Sequence, residues 1–166
     1  HLSGLTLVGL NSAHGIQPYT LTTRPRDLAV VGALKPEQWE SARRAFSGAP
    51  AGDFKVLVFH HNLLRGRLSN RWGLANRARG LERAAITGAD LVLCGHDHEE
   101  RVEQVTVNGR RYVVASASTL TDRVRGGGPS SLNVIETDES TVKVAVWEWN
   151  QPTKTFVPRR TECFTR

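Results

Sequence analysis

The chain has 166 residues, 39% of them hydrophobic and 23% charged, and a formal net charge of +6. That length suits one globular domain with a sizeable core, and no run approaches the roughly 18 apolar residues of a membrane-spanning helix. The start has no signal-peptide layout, and the two cysteines, Cys94 and Cys163, are too few and too far apart for a disulfide scaffold, so a cytoplasmic location is expected.

Leu5 to Leu10 reads as a strand with partial alternation, ended by the turn-rich Asn11-Ser12-Ala13-His14-Gly15. Residues 16 to 28, with Pro18 and Pro25, force no regular element. Pro36 and Glu37 suit the first turn of a helix, Leu34, Trp39, Ala42, Arg43 and Phe46 give it a stripe, and the glycines and proline of residues 48 to 52 stop it. Lys55 to Phe59 is an apolar strand of the fully buried type that runs directly into His60-His61-Asn62. Residues 63 to 70 read as loop. From Trp72 to Thr87 the spacing of Leu74, Ala78, Leu81, Ala84 and Ala85 predicts a helix, closed by Gly88. Leu91 to Cys94 is a second buried strand, so strand, helix and strand make a right-handed βαβ unit. Asn108-Gly109 between two alternating runs, 102 to 107 and 110 to 115, predicts a hairpin. After a polar loop from Ser116 to Ser131, Leu132 to Glu136 and Thr141 to Trp149 form another antiparallel pair. The four tryptophans are better placed in core or edge packing than on a base-stacking platform.

The chemistry concentrates where the second buried strand stops, at Gly95-His96-Asp97-His98. If the extended backbone continues past Gly95, His96 and His98 project from the same side and Asp97 from the other, solvated or holding the turn. The carboxyl ends of strands are where open α/β sheets hold their ligands, and the adjacent His60-His61 stands at the end of the neighbouring strand. Three imidazoles converging from two strand ends are metal ligands in the making, while Cys94 reads as a small buried side chain. Arg123 and Arg125, beside the glycines at 126 to 128, have the guanidinium forks and backbone amides to wrap a substrate phosphate. His14 is expected on a surface turn.

A lone histidine after a strand (Val58-Phe59-His60-His61-Asn62), followed one βαβ unit later by Gly95-His96-Asp97-His98, resembles the second half of the calcineurin-like metallophosphoesterases. The likeness runs over most of residues 5 to 150 and includes Val8 to Ala13, the Leu34 to Gln38 helix start, Thr121 to Gly126 and Asn133. Asn62 stands where that family commonly has proline. The resemblance implies an α/β fold, the C-terminal half of an αββα sandwich in which mixed sheets are flanked by helices. It implies that His60 and His96 ligate one metal ion and His98 a second, with His61 beside the ligands or facing the substrate phosphate. Two divalent ions (Mn, Fe or Zn), about 3.5–4 Å apart, would then clamp a small phosphoester or phosphodiester and activate a bridging water.

The acidic first-half motifs of that family, D-x-H, G-D-x-x-D and G-N-H, do not occur in this sequence. Residues 1–166 are therefore expected to be the C-terminal part of one domain whose N-terminal half is absent, belonging either to a longer phosphodiesterase or to a truncated, inactive relative. No catalytic residue is assigned within the chain itself. The alternative is a basic module whose +6 charge holds nucleic acid or another polyanion. A metallo-β-lactamase-like hydrolase is a poor match, because His98 is followed by Glu99-Glu100-Arg101 rather than by its second ligand pair.

Overall fold

A computed structural model describes residues 4–14, 30–66, 73–121 and 128–166. Strand β1 (Leu5–Gly9) is followed by helix α1 (Pro36–Ser47), β2 (Phe54–His61), helix α2 (Arg77–Thr87) and β3 (Leu91–Gly95). The hairpin β4 (Arg101–Val107) and β5 (Arg110–Ser116) comes next, and then β6 (Ser131–Thr137), β7 (Thr141–Asn150) and β8 (Thr155–Thr165). Five strands form a mixed sheet in the order β1-β2-β3-β5-β4, and the last three form an antiparallel sheet in chain order.

Within the larger sheet β1, β2, β3 and β5 are mutually parallel and only β4 runs back. Four carboxyl ends therefore emerge on one side, and residues 10–14, 60–64, 96–100 and 117–119 meet there. The hairpin turns as its sequence requires: Asn108 and Gly109 both take positive φ, 52° and 77°, as a two-residue turn between twisted strands demands.

The two faces of the larger sheet are buried differently. On one, Trp39, Ala42 and Phe46 of α1 and Ala84 and Ala85 of α2 pack against Leu57, Phe59, Val92, Cys94, Tyr112 and Val114. On the other, Phe54, Val56, Leu91, Val113 and Ala115 meet Val142, Val144 and Val146 of the second sheet. Alternate strand residues thus serve opposite cores, which is why β2 and β3 read as continuous apolar runs. The result is the mixed α/β sandwich with helix-flanked sheets that the resemblance implied. Among the described residues, no helix covers the outer face of the three-stranded sheet.

Two features differ from the sequence reading. The helix expected from Trp72 begins only at Arg77, because Leu74 is occupied in a parallel bridge with Gly32. Asn76, in the left-handed region at φ 51°, then caps the helix by accepting from the Arg79 amide at 3.4 Å. Gly88 closes it at φ 86° as expected. The sequence reading has no counterpart of β8, whose Pro158, Arg159 and Arg160 disguise an edge strand; a register shift opposite Val146 and Trp147 accommodates the proline there. Arg160 turns this interruption to use by pairing with Glu100 at 2.6 Å across the two sheets. Residues 16 to 28, Trp72 and most of the loop after Leu64 lie outside the described residues.

Phe46 is 1% exposed in the helix-side core and Ile86 is 56% exposed on α2. Phe46→Ala is expected to cost about 3–5 kcal/mol and Ile86→Ala within about 0.5 kcal/mol, read from denaturant midpoints.

Candidate functional site

The site is assembled from the ends of β2 and β3. The pairing register shifts between Val58 and His61, so that His61 rather than His60 stands opposite Gly95. One extra residue on β2 near its end is a bulge, a device that re-aims side chains at a strand tip. His60 is exposed and His61 buried. An open depression of about 630 Å³ lies over these ends, lined by Gly9, Leu10, Asn11, Phe59, His60 and Gly95 among others.

Three of the six histidines converge. His60 Nε2 lies 2.9 Å from His96 Nδ1, a hydrogen bond in which one ring donates and the other accepts. The His61 ring centroid is 4.4 Å from that of His96 and 5.0 Å from that of His60. The expected meeting of His60 with His96 is therefore present.

His98 is placed otherwise. The extended backbone does not continue past Gly95: His96 and His98 have φ of 82° and 60°, so the alternation that would have put both rings on one side does not apply. Left-handed backbone costs a non-glycine residue roughly 1–2 kcal/mol, and two such residues in one turn persist only because neighbours hold it. Ser118 Oγ donates to the His98 carbonyl at 2.9 Å and Ser116 Oγ to the Glu99 carbonyl at 2.9 Å. Among the described residues, no three His, Cys, Asp or Glu side chains are grouped to hold a metal ion.

His61, one of the residues expected to face substrate phosphate, is 4% exposed. Its Nδ1 is 2.8 Å from Ser12 Oγ, which also accepts from the His61 amide at 3.2 Å, and its ring bonds the Val30 backbone. Gly32 makes room for it: a Cβ there would stand 2.1 Å from the ring. Burial first, then the neighbouring His96 and His60, hold the His61 pKa down to about 3, so the ring is neutral and braces the tip from inside. Arg123 and Arg125 lie outside the described residues. His14, expected on a surface turn, is half-buried and its Nε2 meets Gln38 Oε1 at 3.0 Å, while Gln38 Nε2 donates to the Asn11 carbonyl at 3.0 Å, tying the start of α1 to the end of β1.

Asn62 is the residue whose part sequence reasoning missed. It is 1% exposed, and each hydrogen-bonding position of its amide is used. Oδ1 accepts from the Leu64 amide at 2.8 Å and from Cys94 Sγ at 3.4 Å. Nδ2 donates to Ser116 Oγ at 3.1 Å and to Asp97 Oδ1 at 3.3 Å. Burial pushes the Cys94 thiol up to about 12, so it stays protonated and able to donate. Asp97, expected to be solvated or to hold the turn, is fully buried and holds it. The only sequence signal for this network was the departure at Asn62 itself.

Two nitrogens each about 2.0–2.1 Å from one ion, at 90–109°, are about 2.9–3.4 Å apart, so the His60–His96 spacing suits two ligands of a single ion. The third ring, His61, is engaged by Ser12 and the Val30 backbone, and among the described residues no three His, Cys, Asp or Glu side chains are grouped to hold an ion. The two rings fit one edge of one ion and do not make up a two-ion cage.

No protein-family model matches this sequence, and no curated protein matches it. Among solved structures, the chain is similar to vacuolar protein sorting 29 from Cryptosporidium parvum, at 18% identity and TM-score 0.45, over 71% of this chain and 55% of that one. It is similar to zinc-complexed Vps29 from Entamoeba histolytica, at 17% identity and TM-score 0.39, over 71% and 57%. A predicted phosphoesterase from Streptococcus pneumoniae aligns at 12% identity and TM-score 0.40, over 96% and 97%. The chain thus spans little more than half the length of the first two.

An unfolded histidine titrates near 6.5, whereas His61 in the fold titrates near 3. The stability that neutral His61 contributes is full above about pH 6.5 and is lost progressively as pH falls toward about 3, because the unfolded chain binds the proton first. Denaturant midpoints at about pH 7.5 and about pH 5 should therefore fall more in the wild type than in His61→Gln. Parallel falls would contradict the assignment.

Proposed function

We infer that this chain is the C-terminal part of a metal-dependent phosphoric ester hydrolase, acting on a small phosphoester or phosphodiester. The observation that carries the reading is the 2.9 Å approach of His60 Nε2 and His96 Nδ1 at the carboxyl ends of adjacent parallel strands. Charged ligands are held at that end of a parallel sheet, and neutral imidazoles suit Mn, Fe or Zn.

In this reading His60 and His96 hold one divalent ion. A bound divalent ion supplies Lewis acidity toward a phosphoryl oxygen and a water that ionises near neutral pH. The chain's own residues prepare the place. His61, neutral and clamped between Ser12 and the Gly32 backbone, keeps solvent out beneath the two rings. The bulge before it turns His60 outward into the open depression. Arg123 and Arg125 provide guanidinium groups for the phosphate.

The +6 charge also suits a polyanion-binding module, but several arginines are engaged in ion pairs, among them Arg43 with Glu40, Arg160 with Glu100 and Arg166 with Asp90. A module of that kind would bind nucleic acid with a steep salt dependence and no metal requirement.

The test is metal content and bis-p-nitrophenyl phosphate hydrolysis of the full-length protein. His96→Ala should lower both, hydrolysis by at least about 100-fold. Unchanged metal content and unchanged turnover would overturn the reading.

A further inference from the structure

The two rings at the strand tips are carried by segments that do not rigidify themselves. His96 sits in a turn with two left-handed residues, and His60 sits at a register shift. Such backbone keeps one conformation only when surrounding bonds over-determine it. The residue two after His60 is Asn62 and the residue immediately after His96 is Asp97. Both are buried, at 1% and 0% exposure, and the Asn62 amide donates across to the Asp97 carboxylate at 3.3 Å and 3.5 Å.

We propose that Asn62 and Asp97 are a positioning pair, a buried amide–carboxylate bridge that holds the turn carrying His96 against the strand end carrying His60 and so sets the spacing of the two ring nitrogens. Neither residue touches the ring–ring contact; each acts through the histidine beside it. The bridge is anchored on a third tip, because Asn62 Nδ2 also donates to Ser116 Oγ, whose hydroxyl donates onward to the Glu99 carbonyl just past the turn. Asn62 Oδ1 is fixed in turn by the Leu64 amide and the Cys94 thiol, so the amide cannot rotate without breaking bonds on both sides. A buried carboxylate needs donors: Asn62→Asp takes the Nδ2 donor away from Asp97, and Asp97→Asn takes away the negative charge that the amide faces.

The metal arm of this proposal rests on the reading of His60 and His96 as ligands; the geometric arm does not. Asn62→Asp sets two carboxylates face to face and removes the donor to Ser116, Asp97→Asn sets two amides face to face, and the double exchange restores an amide–carboxylate pair between 62 and 97 in the opposite sense without the Ser116 bond. Titration of the full-length protein with Co²⁺, followed by its visible bands, should show each single variant weakened about 10- to 100-fold and the double exchange binding more tightly than either single. In metal-free crystals of Asp97→Asn the separation of His60 Nε2 and His96 Nδ1, 2.9 Å in the native fold, should open beyond about 3.5 Å with the β2–β3 register kept. Native affinity in both single variants with an unchanged separation would overturn the proposal, as would a folded double exchange no tighter than the singles. If one single variant fails to fold, the double exchange against the other single decides, by binding Co²⁺ more tightly than that single or not. Absence of Co²⁺ binding in the wild type together with an opened separation in Asp97→Asn would count against the metal reading and leave the pair standing.

Discussion

The Asn62 amide is the point at which the strand tips become one object. Parallel strands deliver their carboxyl ends to the same side of the sheet but say nothing about how the chain beyond each end is held. Here the four bonds of one buried side chain reach the β2 exit, the β3 strand, the β3 exit and β5. A polar group with no exposure is stabilising only when fully bonded, and this one is. The left-handed backbone at His96 and His98 is tolerable because Asp97, between them, is anchored to that amide.

Beneath the tips the sheet acts as a rigid base. Its two faces are buried against different partners, the helices on one side and the valines of β7 on the other. Motion of β2 relative to β3 would disturb both cores at once. His61 extends the same logic upward: its ring is packed under the Gly32 backbone, bonded to Ser12 and neutral, so it braces the site. The exposed His60 and its neighbour His96 then meet over a floor that does not yield. Rigid support of this kind is what a ligand pair needs if its spacing is to be set before anything binds.

Much of this was legible in the letters. Apolar runs bounded by glycine gave β2 and β3, Asn108-Gly109 gave the hairpin, and Gly88 gave the end of α2, each because local chemistry and tertiary role agree. The convergence of His60 with His96 followed from placing both at the ends of neighbouring parallel strands. What could not be read depended on bonds made across the chain. Leu74 has helical spacing yet pairs with Gly32. His98 obeys a period-two rule only in extended backbone, which stops one residue before His96. In Asn62 the sequence shows an amide at a loop start, and only the fold shows what Asp97 and Ser116 ask of it. In β8 proline and arginine hide a strand whose pairing is supplied by β7.

The most direct measurement is anomalous diffraction at the zinc edge from crystals of the protein grown with Zn²⁺. The account predicts a peak about 2.0–2.1 Å from both His60 Nε2 and His96 Nδ1, replacing their direct hydrogen bond. Density in which the two rings keep their 2.9 Å contact, with no zinc between them at saturating metal, would contradict it.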